Sequence, residues 1–189
     1  MNAFRAVSSW VYDKVNWKWT LAAVAIFICF MIFVLPQQAE KSEGATGSGE
    51  SPDSSFVYTA EDLYRIADIY GEEGRKEYIQ ARFTFDIVWP LVYLFFLCTL
   101  LTSLYRFLPE RSRWRFIHLL PLGGWLFDLL ENLGASLVMY RYPQPTPVVA
   151  QLTPVFTLLK WMMIYGSFAA AGIGIILLLI RAVRAIKTR

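Results

Sequence analysis

Four apolar blocks, each about as long as a bilayer's hydrocarbon is thick, leave this chain few ways to fold. They cover residues 17–35, 83–105, 116–140 and 150–180, and the first runs through LAAVAIFICFMIFVL. Blocks of this length and apolarity read as transmembrane helices. The expected fold class is therefore all-α: a polytopic membrane protein built as a four-transmembrane-helix bundle. Of the 189 residues, 56% are hydrophobic and 17% are charged. Soluble domains carry about 25% charged residues. There is room for one bundle and no separate soluble domain.

Charge placement predicts orientation. Eleven of the 18 basic residues fall in three short segments: residues 1–16 with the start of the first block, the basic loop 106–115, and the tail 181–189. Six more, with ten acids among them, are spread over the segments between the first and second blocks and between the third and fourth. Basic segments stay on the cytoplasmic side, so both termini are expected there, in a multi-pass protein of the plasma (inner) membrane. Trp17, Trp19, Tyr105, Trp114, Tyr140 and Tyr142 stand at block ends, as an interfacial aromatic belt requires. A signal peptide is the rival reading of the first block. The QQA sequence after Pro36 is a poor cleavage site, which favours an uncleaved anchor.

The segments outside the blocks differ in kind. Residues 36–57 are rich in Gly, Ser and Glu, and are expected to be a flexible extracytoplasmic linker. Residues 58–82 carry Thr59 and Asp62 at capping-box spacing, then Leu63, Ile66, Ala67 and Tyr70 at helical spacing. They predict extracytoplasmic amphipathic helices, with a break at Gly71. Residues 141–149 alternate Pro143, Pro145 and Pro147 and predict a stiff extended loop.

Charges inside the blocks are the main functional signal. Asp86, Asp128, Glu131 and Lys160 lie in apolar surroundings, where an ionised group costs about 2.5–3.5 kcal/mol. In the third block Gly124, Asp128, Glu131, Asn132 and Ala135 share a face about 80° wide, opposite Leu129, Leu130, Leu133 and Leu137. In the second, Arg82, Asp86, Trp89, Pro90 and Tyr93 share a stripe, and Arg82 stands one turn before Asp86. In the fourth, Thr153, Thr157, Lys160 and Ser167 lie on one side, and Gly166, Ala170 and Gly174 form a small-residue row for close helix packing. The polar sides of three blocks are thus expected to converge. Trp89, Tyr93 and Trp161 are candidate walls of the resulting pocket or buried polar network. Lys160 can neutralise one of Asp128 and Glu131, which leaves the other over.

Several chemistries are excluded. His118 is the single histidine, expected at a membrane interface, so paired haem ligation is impossible. Cys29 and Cys98 are expected at different depths, and no Cys-x-x-Cys exists for disulfide exchange. No metal site and no cofactor is expected, and no Walker or dinucleotide motif is present. The basic segments follow from membrane orientation and need no nucleic acid. Expected partners are membrane lipids, a lipid or small-molecule ligand, or a partner membrane protein. The reading is a scaffold or ligand-binding membrane protein organised around the Asp/Glu/Lys cluster. Alternatives are a lipid-modifying enzyme using the carboxyls as an acid/base pair and a proton-coupled carrier.

Overall fold

The computed structural model describes residues 3–52 and 56–187. Residues 1–2 of the expected cytoplasmic segment, 53–55 of the expected linker and 188–189 of the tail lie outside the described residues. Among the described residues the chain is all-helical with no strand. The helices are α1 (Ala3–Lys14), α2 (Trp17–Cys29), α3 (Leu35–Thr46), α4 (Ala60–Ile69), α5 (Gly71–Arg82), α6 (Phe85–Tyr105), α7 (Leu120–Arg141) and α8 (Pro147–Lys187). A π-helical turn, Phe30–Val34, joins α2 to α3, and a 3-10 turn, Arg113–Leu119, leads into α7.

Among the described residues, three helical stretches are long and apolar enough to cross a membrane: Trp17–Thr46, Gly71–Tyr105 and Pro147–Lys187. The 22 residues of α7 span about 33 Å at 1.5 Å per residue, but Asp128 and Glu131 interrupt their apolarity. At 41 residues α8 is about 60 Å long, twice the hydrocarbon thickness.

Helices α6, α7 and α8 form the centre, and α7 with α8 is the most extensive pair. That pairing follows from small residues. A Cβ built on Gly124 would come to 3.1 Å from Ile164, and one on Gly134 would collide with the Thr153 hydroxyl. Backbones approach closely where side chains are missing. Helix α2 packs chiefly on α6 and is otherwise exposed, α3 packs on α5, and α4 packs on α7 and α8.

Apolar packing falls into three layers. One holds Tyr58, Leu63, Ile66, Tyr70, Tyr78, Val138 and Met139. The middle layer holds Ala23, Tyr93, Phe96, Leu97 and Ile164. The last holds Leu101, Leu104, Tyr105, Ala170 and Ala171. Along the chain, Arg82 and Asp86 stand between Tyr78 of the first layer and Tyr93 of the second, and Lys160 of α8 stands between Ala150 of the first and Ile164 of the second.

Two expectations need correction. The segment 36–57 is not a linker throughout, because Leu35–Thr46 is helix. Pro36 closely follows the π-helical turn, and the helix runs on through it from α2. It ends at Gly47, whose φ of 66° suits a residue without Cβ. Thr46 then rests on Gly74, where a Cβ would approach its backbone to 3.3 Å. Secondly, the extended loop at 141–149 is shorter than its prolines suggest. Helix α7 runs to Arg141 and α8 starts at Pro147, because a proline at a helix start removes no needed donor. His118 is fully buried, edge-on to the Tyr12 ring at 5.0 Å, with its Nδ1 2.5 Å from the Arg115 carbonyl.

Candidate functional site

The charged side chains meet through four helices and one amide. Arg82, at the end of α5, holds Asp86 through Nε at 2.9 Å. The chain breaks between them: Thr84 leaves helical geometry (φ −123°, ψ −81°) and its hydroxyl donates to the Gln80 carbonyl. The Arg82 guanidinium also covers the Tyr78 ring at 4.4 Å and reaches Asn132 Oδ1 at 3.5 Å. Asn132 in turn donates its amide to Asp128 Oδ2 at 3.3 Å. Lys160 stands against both acids of α7, at 3.3 Å from Asp128 Oδ1 and 2.5 Å from Glu131 Oε2.

The outcome differs from a one-to-one pairing. Lys160 is shared, so the network holds three carboxylates and two cations, a formal charge of −1. These groups are deeply enclosed: Glu131 is 1% exposed and Lys160 4%. The surplus charge has low-dielectric surroundings, where removing either partner of a pair costs several kcal/mol.

The backbone explains why these residues converge. Gly124, Asp128, Glu131, Asn132 and Ala135 are all buried on α7, whereas Leu133 and Leu137 are exposed. Thr153, Thr157, Lys160 and Ser167 are buried on α8. Their threonine and serine hydroxyls turn back to carbonyls one turn earlier, as Thr157 does to Thr153 and Ser167 to Met163. Tyr58, just before α4, meets the Thr157 hydroxyl at 3.0 Å. Of the packing row, Ala170 and Gly174 are buried, Ala170 accepts from the Tyr105 hydroxyl at 2.9 Å, and Gly174 abuts Leu104 and Tyr105. Gly166 faces Leu120.

Beside the network lies a cavity of about 440 Å³. Arg82, Asp86, Asp128 and Lys160 form its polar part, and Trp89, Tyr93, Trp161 and Ile164 its apolar walls. Phe27 and Met31 close it from α2 and the π turn, facing Phe168 of α8. The rim is exposed, with Met31 at 47% and Phe168 at 40%, so the cavity opens on the flank of the bundle between α2 and α8. Its aromatic wall is continuous. Trp89 stacks on Phe27 (5.7 Å) and Phe30 (6.1 Å) and meets Tyr93 edge-on at 6.0 Å. Trp161 stacks on Tyr165 at 5.4 Å, with Lys160 Nζ 5.1 Å from its ring. The Tyr93 hydroxyl and the Trp161 indole N–H are buried with no hydrogen-bond partner among the described residues.

Sequence reasoning missed Phe27, Met31 and Phe168, which are apolar residues in apolar blocks and carry no distinguishing signal. It also missed Tyr78, which did carry one: it stands four residues before Arg82, on the same stripe. No family model, no curated protein and no solved structure matches this chain.

Proposed function

We propose that this protein is a four-span membrane protein that binds an amphiphile, a lipid or a small molecule with an apolar body and a polar group, in the cavity between α2 and α8. In this reading α7 is the fourth span, with exposed Leu126, Leu133 and Leu137 turned to lipid. Basic segments favour the cytoplasmic side, so in this reading both termini are cytoplasmic, in a plasma (inner) membrane protein. Helix α4 is then an amphipathic cover on the opposite surface, seated through Leu63, Ile66 and Ala67.

One observation carries the reading: a cavity of ligand size joins aromatic walls to a buried charged network and opens sideways. Pockets that hold small molecules combine mostly apolar linings with a few placed polar groups. A purely structural set of ion pairs needs no such space, since helices bound by charge alone can close over it. On a membrane-embedded bundle, a flank opening admits a ligand from the acyl-chain region without passage through water.

The test is to isolate the protein directly from membranes in polymer-bounded lipid discs. Bound small molecules are then extracted and identified by mass spectrometry. A defined amphiphile enriched over bulk lipid is expected. It should be lost from Trp89→Ala and Trp161→Ala variants that still fold. A density map showing a dry, collapsed seam beside Asp128 would overturn the reading. So would proteoliposomes that move protons or solutes in a pH-dependent way, since carriage would then explain the network.

A further inference from the structure

The end of the bundle that carries α1 and the 106–115 loop holds a second cavity, of about 530 Å³. Arg5, Arg111, Arg113 and Arg115 line it against Asp13 and Glu110, so four positive charges face two negative ones. Tyr12 builds its back wall. The Tyr12 hydroxyl donates to the Arg115 carbonyl at 3.2 Å, and the Arg115 guanidinium lies over its ring at 3.8 Å. Burial holds this phenol above its ordinary range, so it stays a neutral donor. The Arg115 Nε–H is buried with no hydrogen-bond partner among the described residues. A guanidinium fixed by stacking, with an unused donor and surplus positive charge around it, is suited to a phosphate group.

Its surroundings indicate where such a phosphate would come from. Trp10, Trp17, Trp19 and Trp114 are 61%, 66%, 54% and 68% exposed around this end. Exposed tryptophans collect at the level of lipid headgroups. Helix α2 begins at Trp17, three residues after the end of α1, whose Tyr12 and Asp13 line the cavity, and one stripe of it presents exposed Leu21, Ala25 and Ile28. A polar, positively charged recess thus adjoins an apolar strip long enough for acyl chains.

We infer that this cavity seats the headgroup of an anionic phospholipid, with its phosphate against Arg111, Arg113 and Arg115 and its chains along α2. The site is separate from the cavity between α2 and α8, and stands whether or not that cavity binds a ligand. Basic pockets at the membrane surface select anionic headgroups in this way.

The experiment reconstitutes the full chain in discs of phosphatidylcholine with a minority of phosphatidylglycerol. Retained lipid is then read by native mass spectrometry after mild detergent release. Wild-type protein is expected to retain phosphatidylglycerol preferentially. Arg111→Gln with Arg113→Gln should lower that occupancy about tenfold or more, given what each surface arginine contributes. Both side chains are exposed, and an unchanged melting temperature would show that the fold persists. Arg5→Gln with Arg113→Gln gives a second pair, which overlaps the first only at Arg113. The control is Arg184→Gln with Lys187→Gln, which removes the same charge from the tail. The tail leaves the same end, since Arg181 covers the Phe107 ring at 4.6 Å. The control should retain lipid as wild type does. A loss in the tail control equal to that in the cavity variants would reduce the effect to a diffuse field and overturn the site. Displacement of the lipid by millimolar inorganic phosphate would also overturn it, in favour of a soluble anion.

Discussion

Asn132 donates its side-chain amide to Asp128, one turn earlier on α7, at 3.3 Å. Its carbonyl oxygen meanwhile accepts from Arg82. Asn132 is therefore the joint between two ion-pair groups, one on α5–α6 and one on α7–α8. Asn132→Leu keeps the branched shape and removes both bonds. Hydrogen bonds to charged groups contribute about 1.5–3 kcal/mol each, so a loss at the upper end of that range is expected. Thermal unfolding in lipid discs checks it. A double-mutant cycle with Arg82→Met should show coupling, because the two substitutions break one shared contact. Simple additivity would mean that the halves are independent.

Lys160 separates structural from ligand-binding roles. Lys160→Met alone strands two buried carboxylates and should cost about 3–5 kcal/mol. Adding Asp128→Asn and Glu131→Gln removes the charges left over and should recover most of that loss. The fold is then expected to return while amphiphile retention does not, since the polar part of the cavity is gone. Calorimetry and lipid mass spectrometry on the same samples read the two quantities. Full retention by the triple variant would make the network a packing device.

How far this could be read in advance depended on the physics of each element. Helical periodicity exposed the Asp128, Glu131 and Asn132 face and the Lys160 face, because each alternates with plain Leu or with small residues. Local spacing exposed the Arg82–Asp86 pair and the Thr59–Asp62 cap. What escaped rests on tertiary context. Residues 35–46 look like solvated coil by composition, yet α2 carries its helix into them and Gly74 offers a seat for Thr46. Phe27 and Phe168 join the cavity only because α2 packs chiefly on α6 and leaves its α8 side open. His118 is buried because α1 folds back and lays Tyr12 across it, a contact 106 residues apart in sequence that no local pattern encodes.

The cap of α4 makes a pH prediction outside the spans. The Thr59 backbone N–H donates to Asp62 Oδ2 at 3.0 Å and its hydroxyl donates at 2.9 Å, while the Asp62 N–H returns to the Thr59 hydroxyl. The backbone bond, with the hydroxyl bond next, holds the Asp62 carboxyl below its ordinary value of 3.8. A lowered folded value means that this contribution to stability is complete above about pH 4. It is lost as pH falls through that lowered value. Amide exchange in residues 60–63, corrected for intrinsic rates, should therefore quicken on acidification below pH 4. In Asp62→Ala it should be fast already and show no such step. A step that persists in Asp62→Ala would assign it to another group.

The closest helix contact gives the sharpest steric prediction. A Cβ at Gly134 would collide with the Thr153 hydroxyl and would sit 3.4 Å from Thr153 Cβ. Both residues are buried in the most extensive helix pair, and the Thr153 hydroxyl is itself held by the Val149 carbonyl at 2.8 Å. Gly134→Ala must then either turn that side chain off its bond or push α7 from α8. Overpacking of this kind costs about 1–3 kcal/mol. Moving α7 would also displace Glu131, one turn away, from Lys160. Gly134→Ala is thus expected to lower stability and to weaken ligand retention together. Thr153→Ala removes the colliding hydroxyl. Combined with Gly134→Ala, it should restore both properties to near the level of Thr153→Ala alone. Thermal unfolding of the four-member cycle reads the rescue. Equal destabilisation in the presence and absence of Thr153 would mean that α7 and α8 do not meet at this point.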